Sequence, residues 1–169
     1  GRYDCLVPGS GGKDSAMQAH LLKYKYGMNP LTCTWPPILY TDYGWQNFQN
    51  WLAVGGFDNV TFRPNPKVQK LLTKISILKL LHPFQTFILG QKNLGPKIAM
   101  QHGIELIFYG ENEAEYGNPL ADNATSLRDK SYFAMNSLDE MWLAGVPVRE
   151  LIEVYMIALA DLLAYLPAP

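Results

Sequence analysis

The stretch Tyr3-Asp4-Cys5-Leu6-Val7-Pro8-Gly9-Ser10-Gly11-Gly12-Lys13-Asp14-Ser15 decides the fold. Tyr3–Pro8 is a short apolar run of strand type, Gly9 and Ser10 end it, and Asp14–Tyr26 reads as a helix closed by Gly27. A strand that turns through glycines into a helix puts the helix N-terminus at the turn. The first N–H groups there have no intrahelical acceptor, and the macrodipole adds about half a positive charge. Gly11 and Gly12 lack a Cβ, so their backbone can approach a bulky anion; Ser10 and Ser15 offer hydroxyls and Lys13 a full positive charge. The pattern is built for phosphate. It is not a Walker A loop, whose first Gly stands further ahead of its Gly-Lys-Ser/Thr. The competing reading is an ordinary glycine turn that caps a helix. A Lys, an Asp and two Ser, set between a strand and a helix, weigh against it.

Working outward, Leu31–Thr34 is a second short strand, and Pro36-Pro37 stops it. Trp45–Val54 has an amphipathic helical pattern ended by Gly55-Gly56, and Asn59–Phe62 is a third strand ended by Pro64-Asn65-Pro66. Lys67–Leu81 is helical, with Val68, Leu71, Leu72, Ile75, Leu78 and Leu81 three and four apart. From Phe84 to Ile98 the helical spacing continues, but Gly90, Gly95 and Pro96 interrupt it, which predicts two short helices with a kink near Pro96. Ile104–Tyr109 reads as the clearest buried strand. Gly110–Ser131 is a long polar loop, and loops of that length are commonly functional. Val148–Tyr155 and Leu159–Tyr165 read as terminal helices. Strands alternating with helices predict an α/β fold with a mostly parallel, Rossmann-like sheet. The expected organisation is an ATP-binding core over 1–135 followed by a helical segment over 136–169.

Composition narrows the classes. The chain has 169 residues, 48% hydrophobic and 17% charged, which suits a globular domain with a real core. A formal net charge of −1 lacks the basic signature of a nucleic-acid binder, so no nucleic-acid partner is expected. No apolar run approaches a membrane span and no signal-peptide pattern opens the sequence, so a cytoplasmic address is the expectation. Cys5 and Cys33 sit in apolar strand-like runs as small buried hydrophobes, and no Cys-x-x-Cys pair suggests a redox or zinc site.

Ser10-Gly11-Gly12-Lys13-Asp14-Ser15 after the first strand resembles the signature of the PP-loop ATP pyrophosphatase superfamily, the adenine nucleotide alpha hydrolase type of Rossmann-like fold. Thr41–Asn47, Gly55–Asn59, His82–Gln85, Gly90–Lys92 and Phe108–Gly117, in that order, resemble the N-acetyl sugar amidotransferase family of bacterial surface-polysaccharide (lipopolysaccharide) biosynthesis. The resemblance covers nearly the whole chain. Family members usually carry a cysteine-rich N-terminal segment suggestive of zinc and extend past Pro169, so the sequence reads as a core fragment, and zinc is expected only in such a segment.

The resemblance implies ATP and Mg²⁺ as cofactors. It gives Ser10, Gly11, Gly12, Lys13, Asp14, Ser15, Gly110 and Asn112 to ATP, and catalytic roles to Lys13, Asp14, Lys92 and Glu111. Asp14 is the expected Mg²⁺ contact, with a carboxylate of the Glu111–Glu115 cluster as the alternative. Gln91, Glu115, Tyr116 and Arg128 are the expected contacts to a nucleotide-sugar substrate. Each has a plainer reading: Lys92 as a helix-surface lysine, the carboxylates as a solvated turn, Arg128 and Lys130 as loop charges. Asp42 has the same two readings, ribose or magnesium contact against a turn residue. His20 and His82 read as structural, His82 as a cap. Trp35, Trp45 and Trp51 read as core or pocket wall.

The implied reaction is adenylylation of an acetamido oxygen, then attack by ammonia, giving an acetamidino sugar, AMP and pyrophosphate. Ammonia would come from separate glutaminase and ammonia-channel subunits resembling the glutamine amidotransferase of histidine biosynthesis. Two alternatives stand beside it: a tRNA-modifying PP-loop enzyme, and a nucleotide-binding module without catalysis.

Overall fold

The structure is a computed structural model that describes residues 1–110 and 134–168. Its described residues form two compact units, one of 1–61 with 98–110 and the other of 62–97 with 134–168.

The first unit is built on a parallel sheet in the order β1-β2-β3, with β1 Cys5–Pro8, β2 Pro30–Thr34 and β3 Asp58–Thr61. Cys5 pairs with Pro30 and Leu31 with Asp58, which fixes the register. On the other side of β1, the Leu6 amide donates to the Leu106 carbonyl (2.9 Å) and the Phe108 amide to the Leu6 carbonyl (2.9 Å), making a parallel bridge between Leu6 and Ile107. β1 is therefore interior, which is why Cys5, Leu6 and Val7 are completely buried on both faces. Around it pack Ala19 and Leu22 from the first helical stretch and Phe48 and Trp51 from α2 Asp42–Ala53, with Phe57 beside them. Burying such side chains contributes about 1.5–3 kcal/mol each, enough to fix which face of each helix turns inward. The fold is α/β and Rossmann-like.

Three local differences from the sequence expectation have physical reasons. The helix after the loop is α1 Lys13–His20, which widens into a π-helical turn over Leu21–Lys25 before Gly27. α2 begins three residues before Trp45, because the Thr41 hydroxyl accepts from the Gly44 amide (3.0 Å) and caps it. Asp42 thus stands in a helical first turn. Ile104–Tyr109, expected to be the clearest buried strand, is an extended segment beside β1: Ile104 is buried, but Leu106 and Tyr109 are exposed. Among the described residues it joins the sheet through the single bridge from Ile107 to Leu6 of β1.

The second unit contains α3 Pro66–Leu80, most of α4 Gln85–His102, a hairpin of β4 Trp142–Leu143 and β5 Val146–Pro147, and the short helices α5 Val148–Glu153 and α6 Leu159–Leu162. The division between units falls within α4, after Lys97. The two kinked helices expected around Pro96 are one continuous helix. Pro96 forfeits one helical hydrogen bond, and the burial of Asn93, Leu94, Ile98 and Ala99 on either side offsets the loss. Asn93 donates to the Tyr165 carbonyl (2.8 Å), and Lys97 donates to the carbonyls of Leu163 and Leu166. These two side chains, one turn apart, cap the carbonyl ends that follow α6. The hairpin was not expected; Ala144-Gly145, both at positive φ, is the two-residue turn that makes it. The expected terminal helices correspond to α5 and α6. Among the described residues, no helix is long and apolar enough to cross a membrane.

Candidate functional site

The chain leaves β1 at its carboxyl end and is held at once by β2. The Gly9 amide donates to the Cys33 carbonyl (2.9 Å), and the Thr34 hydroxyl donates to the Gly9 carbonyl (2.8 Å). Thr34 is fully buried and also accepts from the Asn59 side-chain amide (3.0 Å), which reaches the Thr32 hydroxyl as well (2.9 Å). A closed polar ladder from β3 through β2 thus fixes where the loop begins.

The loop itself divides its glycines by task. Gly11 has φ +85°, and a Cβ there would stand 2.7 Å from the Phe48 Cα of α2, so the fold itself demands glycine. Gly12 has ordinary angles as the residue capping α1, and a Cβ there would meet nothing within 4 Å. Its surroundings are open. Gly12 makes no side-chain cap, and the first ladder bond is the Ala16 amide to the Gly12 carbonyl (3.0 Å). The first-turn amides precede that ladder, as an anion site at a helix N-terminus requires. The Ser15 hydroxyl donates to the Gly12 carbonyl (3.2 Å), while Ser10 is exposed. Lys13 and Asp14 form an exposed ion pair at 2.8 Å.

The edge segment returns to this loop. The Gln18 side-chain amide of α1 donates to the Tyr109 carbonyl (2.6 Å), and a Cβ on Gly110 would lie 2.9 Å from the Ser15 backbone nitrogen and 3.1 Å from the Asp14 carbonyl carbon. The strand order explains why these meet. From β1 the chain builds outward through β2 and β3, then returns to the opposite side of β1. That reversal is a topological switch point, and open α/β sheets bind ligands outside the carboxyl ends of the strands there. Gly110 lies against the first turn of α1, beside the Ser10–Ser15 loop.

Of the expected site residues, the structure brings together Ser10, Gly11, Gly12, Lys13, Asp14, Ser15 and Gly110. Glu111, Asn112, Glu115, Tyr116 and Arg128, with Glu113 and Lys130, lie outside the described residues. Gln91 and Lys92 lie on α4 in the second unit. Gln91 is exposed, and Lys92 borders a small cleft of about 90 Å³ with Leu89, Asn93, Trp142, Tyr165 and Leu166. His82 accepts from the Phe84 amide at the head of α4 (3.3 Å), in keeping with its reading as a cap. Trp35 and Trp51 are buried, and Trp45 is about half exposed.

At Gly12 the first turn of α1 is open to solvent, with free space where a side chain would stand. Both oxygens of the Asp14 carboxylate accept from the Lys13 ammonium, at 2.8 and 3.0 Å. Among the described residues, no three His, Cys, Asp or Glu side chains gather into a group that holds a metal by itself. Burial pushes the Cys5 thiol up to about 11 and Cys33 up to about 12, so neither is a thiolate at neutral pH.

Sequence reasoning missed Thr34, Asn59 and Gln18, whose hydrogen bonds hold the ends of the loop region. A signal existed for the first: Thr32 and Thr34 alternate inside an apolar strand, and a buried hydroxyl there demands a partner. No protein-family model matches this chain, and no curated protein matches it.

Proposed function

We propose that the chain binds ATP with its phosphates on Ser10–Ser15 and uses it to convert an acetamido group of a nucleotide-sugar into an acetamidino group. The observation that carries the nucleotide reading is the meeting of an open helix N-terminus at Gly12 with Gly110 across the switch point of a parallel sheet. The sequence resemblance to N-acetyl sugar amidotransferases supports the choice of substrate.

An amide carbon is a poor electrophile, and hydroxide is a poor leaving group from it. Transfer of the adenylyl group to the acetamido oxygen, with pyrophosphate leaving, changes both. Ammonia then attacks the carbon, loses a proton, and AMP departs with the oxygen. The chain's own part is to hold departing negative charge and to position the reactants. The first-turn amides of α1 and the Lys13 ammonium face developing charge at the phosphates. One well-placed donor of this kind is worth about 3 kcal/mol, and positioning can supply roughly 7–11 kcal/mol. Mg²⁺, when bound with ATP, adds further charge neutralisation, with Asp14 as its protein contact.

The test is incubation with ATP, Mg²⁺, ammonium and a panel of UDP-N-acetyl sugars, read by mass spectrometry. An amidino product with equimolar AMP and pyrophosphate supports the reading. AMP and pyrophosphate without amidine would move the substrate elsewhere among carbonyl acceptors. No ATP cleavage with any acceptor would leave a binding module.

A further inference from the structure

The near-zero net charge of the chain hides a segregation. From Asn59 to Ile104 there is no Asp or Glu, while Arg63, Lys67, Lys70, Lys74, Lys79, Lys92 and Lys97 all fall there. α3 is the centre of this stretch, and each of its charged residues is a lysine.

Helical geometry sorts α3 into two faces. At 3.6 residues per turn, Lys67, Lys70, Lys74, Ile77, Leu78 and the capping residue Leu81 share an arc of about 100°. All six are exposed, with Leu78 at 70% and Leu81 at 88%. Buried Leu72, Ile75 and Ser76 occupy a different arc of similar width. The outward face is therefore divided along its length, lysines toward the N-terminus and aliphatics toward the C-terminus. After the turn, Phe84 and Ile88 are also exposed, while Leu80 packs against Gly145 of the hairpin turn.

Two features show that this face is not an ordinary solvated one. A solvated helix face interleaves both signs of charge and lacks clustered aliphatics. Leu81 also adopts a left-handed conformation, φ 55°, at a C-cap where glycine is the unstrained choice. The sequence places a large aliphatic there, at a backbone cost, with its side chain in solvent. Among the described residues the ion pairs join Arg2 to Asp58, Lys13 to Asp14 and Arg149 to Asp139, and none involves α3.

We infer that this α3–α4 corner docks on a membrane surface bearing anionic lipid. Charge complementarity selects that occupant. A second copy docked symmetrically through this same face would set lysines against lysines. A nucleic acid would use the lysines but leave the aliphatic end exposed. A bilayer interface takes both: Ile77, Leu78 and Leu81 enter the acyl boundary, while Lys67, Lys70 and Lys74, within ~15 Å along the helix, meet headgroup phosphates. The contact is interfacial, in keeping with the absence of a membrane-length apolar helix among the described residues. The inference is independent of the nucleotide site.

The experiment is flotation of the protein with phosphatidylcholine vesicles, with and without phosphatidylglycerol, at low and high salt. The expected result is binding that requires phosphatidylglycerol and weakens with salt. Lys70→Glu/Lys74→Glu and Leu78→Ser/Leu81→Ser should each lower the partition coefficient roughly tenfold or more, with unchanged circular dichroism. Both pairs are exposed, so folding should survive; Lys67→Glu/Lys70→Glu supplies a second charge reversal if the first does not fold. Failure to bind anionic vesicles at low salt would overturn the inference. So would binding insensitive to the leucine substitutions, or equal binding to a single-stranded oligonucleotide that those substitutions leave unchanged.

Discussion

Gly110 sits so close to the first turn of α1 that a Cβ on it would stand 2.9 Å from the backbone nitrogen of Ser15. Two segments far apart in sequence thus come together beyond the carboxyl end of β1. Gly110→Ala should push the first turn out of position, a strain of about 1–3 kcal/mol. The expected outcome is ATP affinity reduced about tenfold or more by calorimetry, with a smaller loss of thermal stability. Unchanged affinity would remove Gly110 from the site.

Gly11 and Gly12 should separate fold from ligand. Gly11→Ala faces both a left-handed backbone and a Cβ 2.7 Å from the Phe48 backbone. It should lower stability by about 1–3 kcal/mol in urea unfolding, with or without nucleotide. A Gly11→Ala protein as stable as the parent would mean the loop does not press on α2.

Lys97 predicts a pH dependence of stability. Burial lowers its ammonium from the usual 10.5 to about 8. The folded chain therefore holds this proton less tightly than the unfolded chain, so unfolding takes up a proton between those values. This contribution to stability is smallest below about 8 and grows as pH rises toward 10.5. Lys97→Met should abolish that slope and cost about 1–3 kcal/mol by leaving the carbonyls of Leu163 and Leu166 without their donor. Urea titrations of both proteins across this window check it; parallel slopes would contradict it.

If the proposed chemistry holds, ammonia must reach the activated carbon from outside this chain. Both thiols are buried in the sheet with pKa values pushed well above neutral, so neither Cys5 nor Cys33 serves as a glutaminase nucleophile. The protein alone should use free ammonium and not glutamine, and a glutaminase partner of the histidine-biosynthesis type should restore glutamine use. Glutamine hydrolysis by the purified protein would refute this division of labour.

The sequence made the parallel sheet and the loop legible because both rest on local signals. Cys5–Pro8 and Pro30–Thr34 are short apolar runs bounded by Gly and Pro, and Gly11-Gly12 sits between strand and helix. What it did not show depends on distant partners. Whether Pro96 breaks a helix is decided by what buries Asn93, Leu94 and Ile98. That Ile104–Tyr109 meets β1 at Leu6 depends on a partner about a hundred residues away. The role of Thr34 emerges only when β1 and β2 lie side by side and its hydroxyl meets the Gly9 carbonyl. The lysine stripe on α3 was masked by a whole-chain charge of −1, since the balancing carboxylates lie elsewhere in the sequence.

The central claim is that the Ser10–Ser15 loop holds the phosphates of ATP, and calorimetric titration of Mg²⁺–ATP tests it most directly. The parent protein should bind ATP. Gly12→Val, whose side chain would enter space the fold leaves open, should stay folded, with no more than the roughly 1 kcal/mol a poorer N-cap costs, yet lose binding by about a hundredfold or more. Lys13→Ala should weaken binding in the same direction. Full-affinity ATP binding by a folded Gly12→Val protein would contradict the account and place the nucleotide, if one binds, elsewhere.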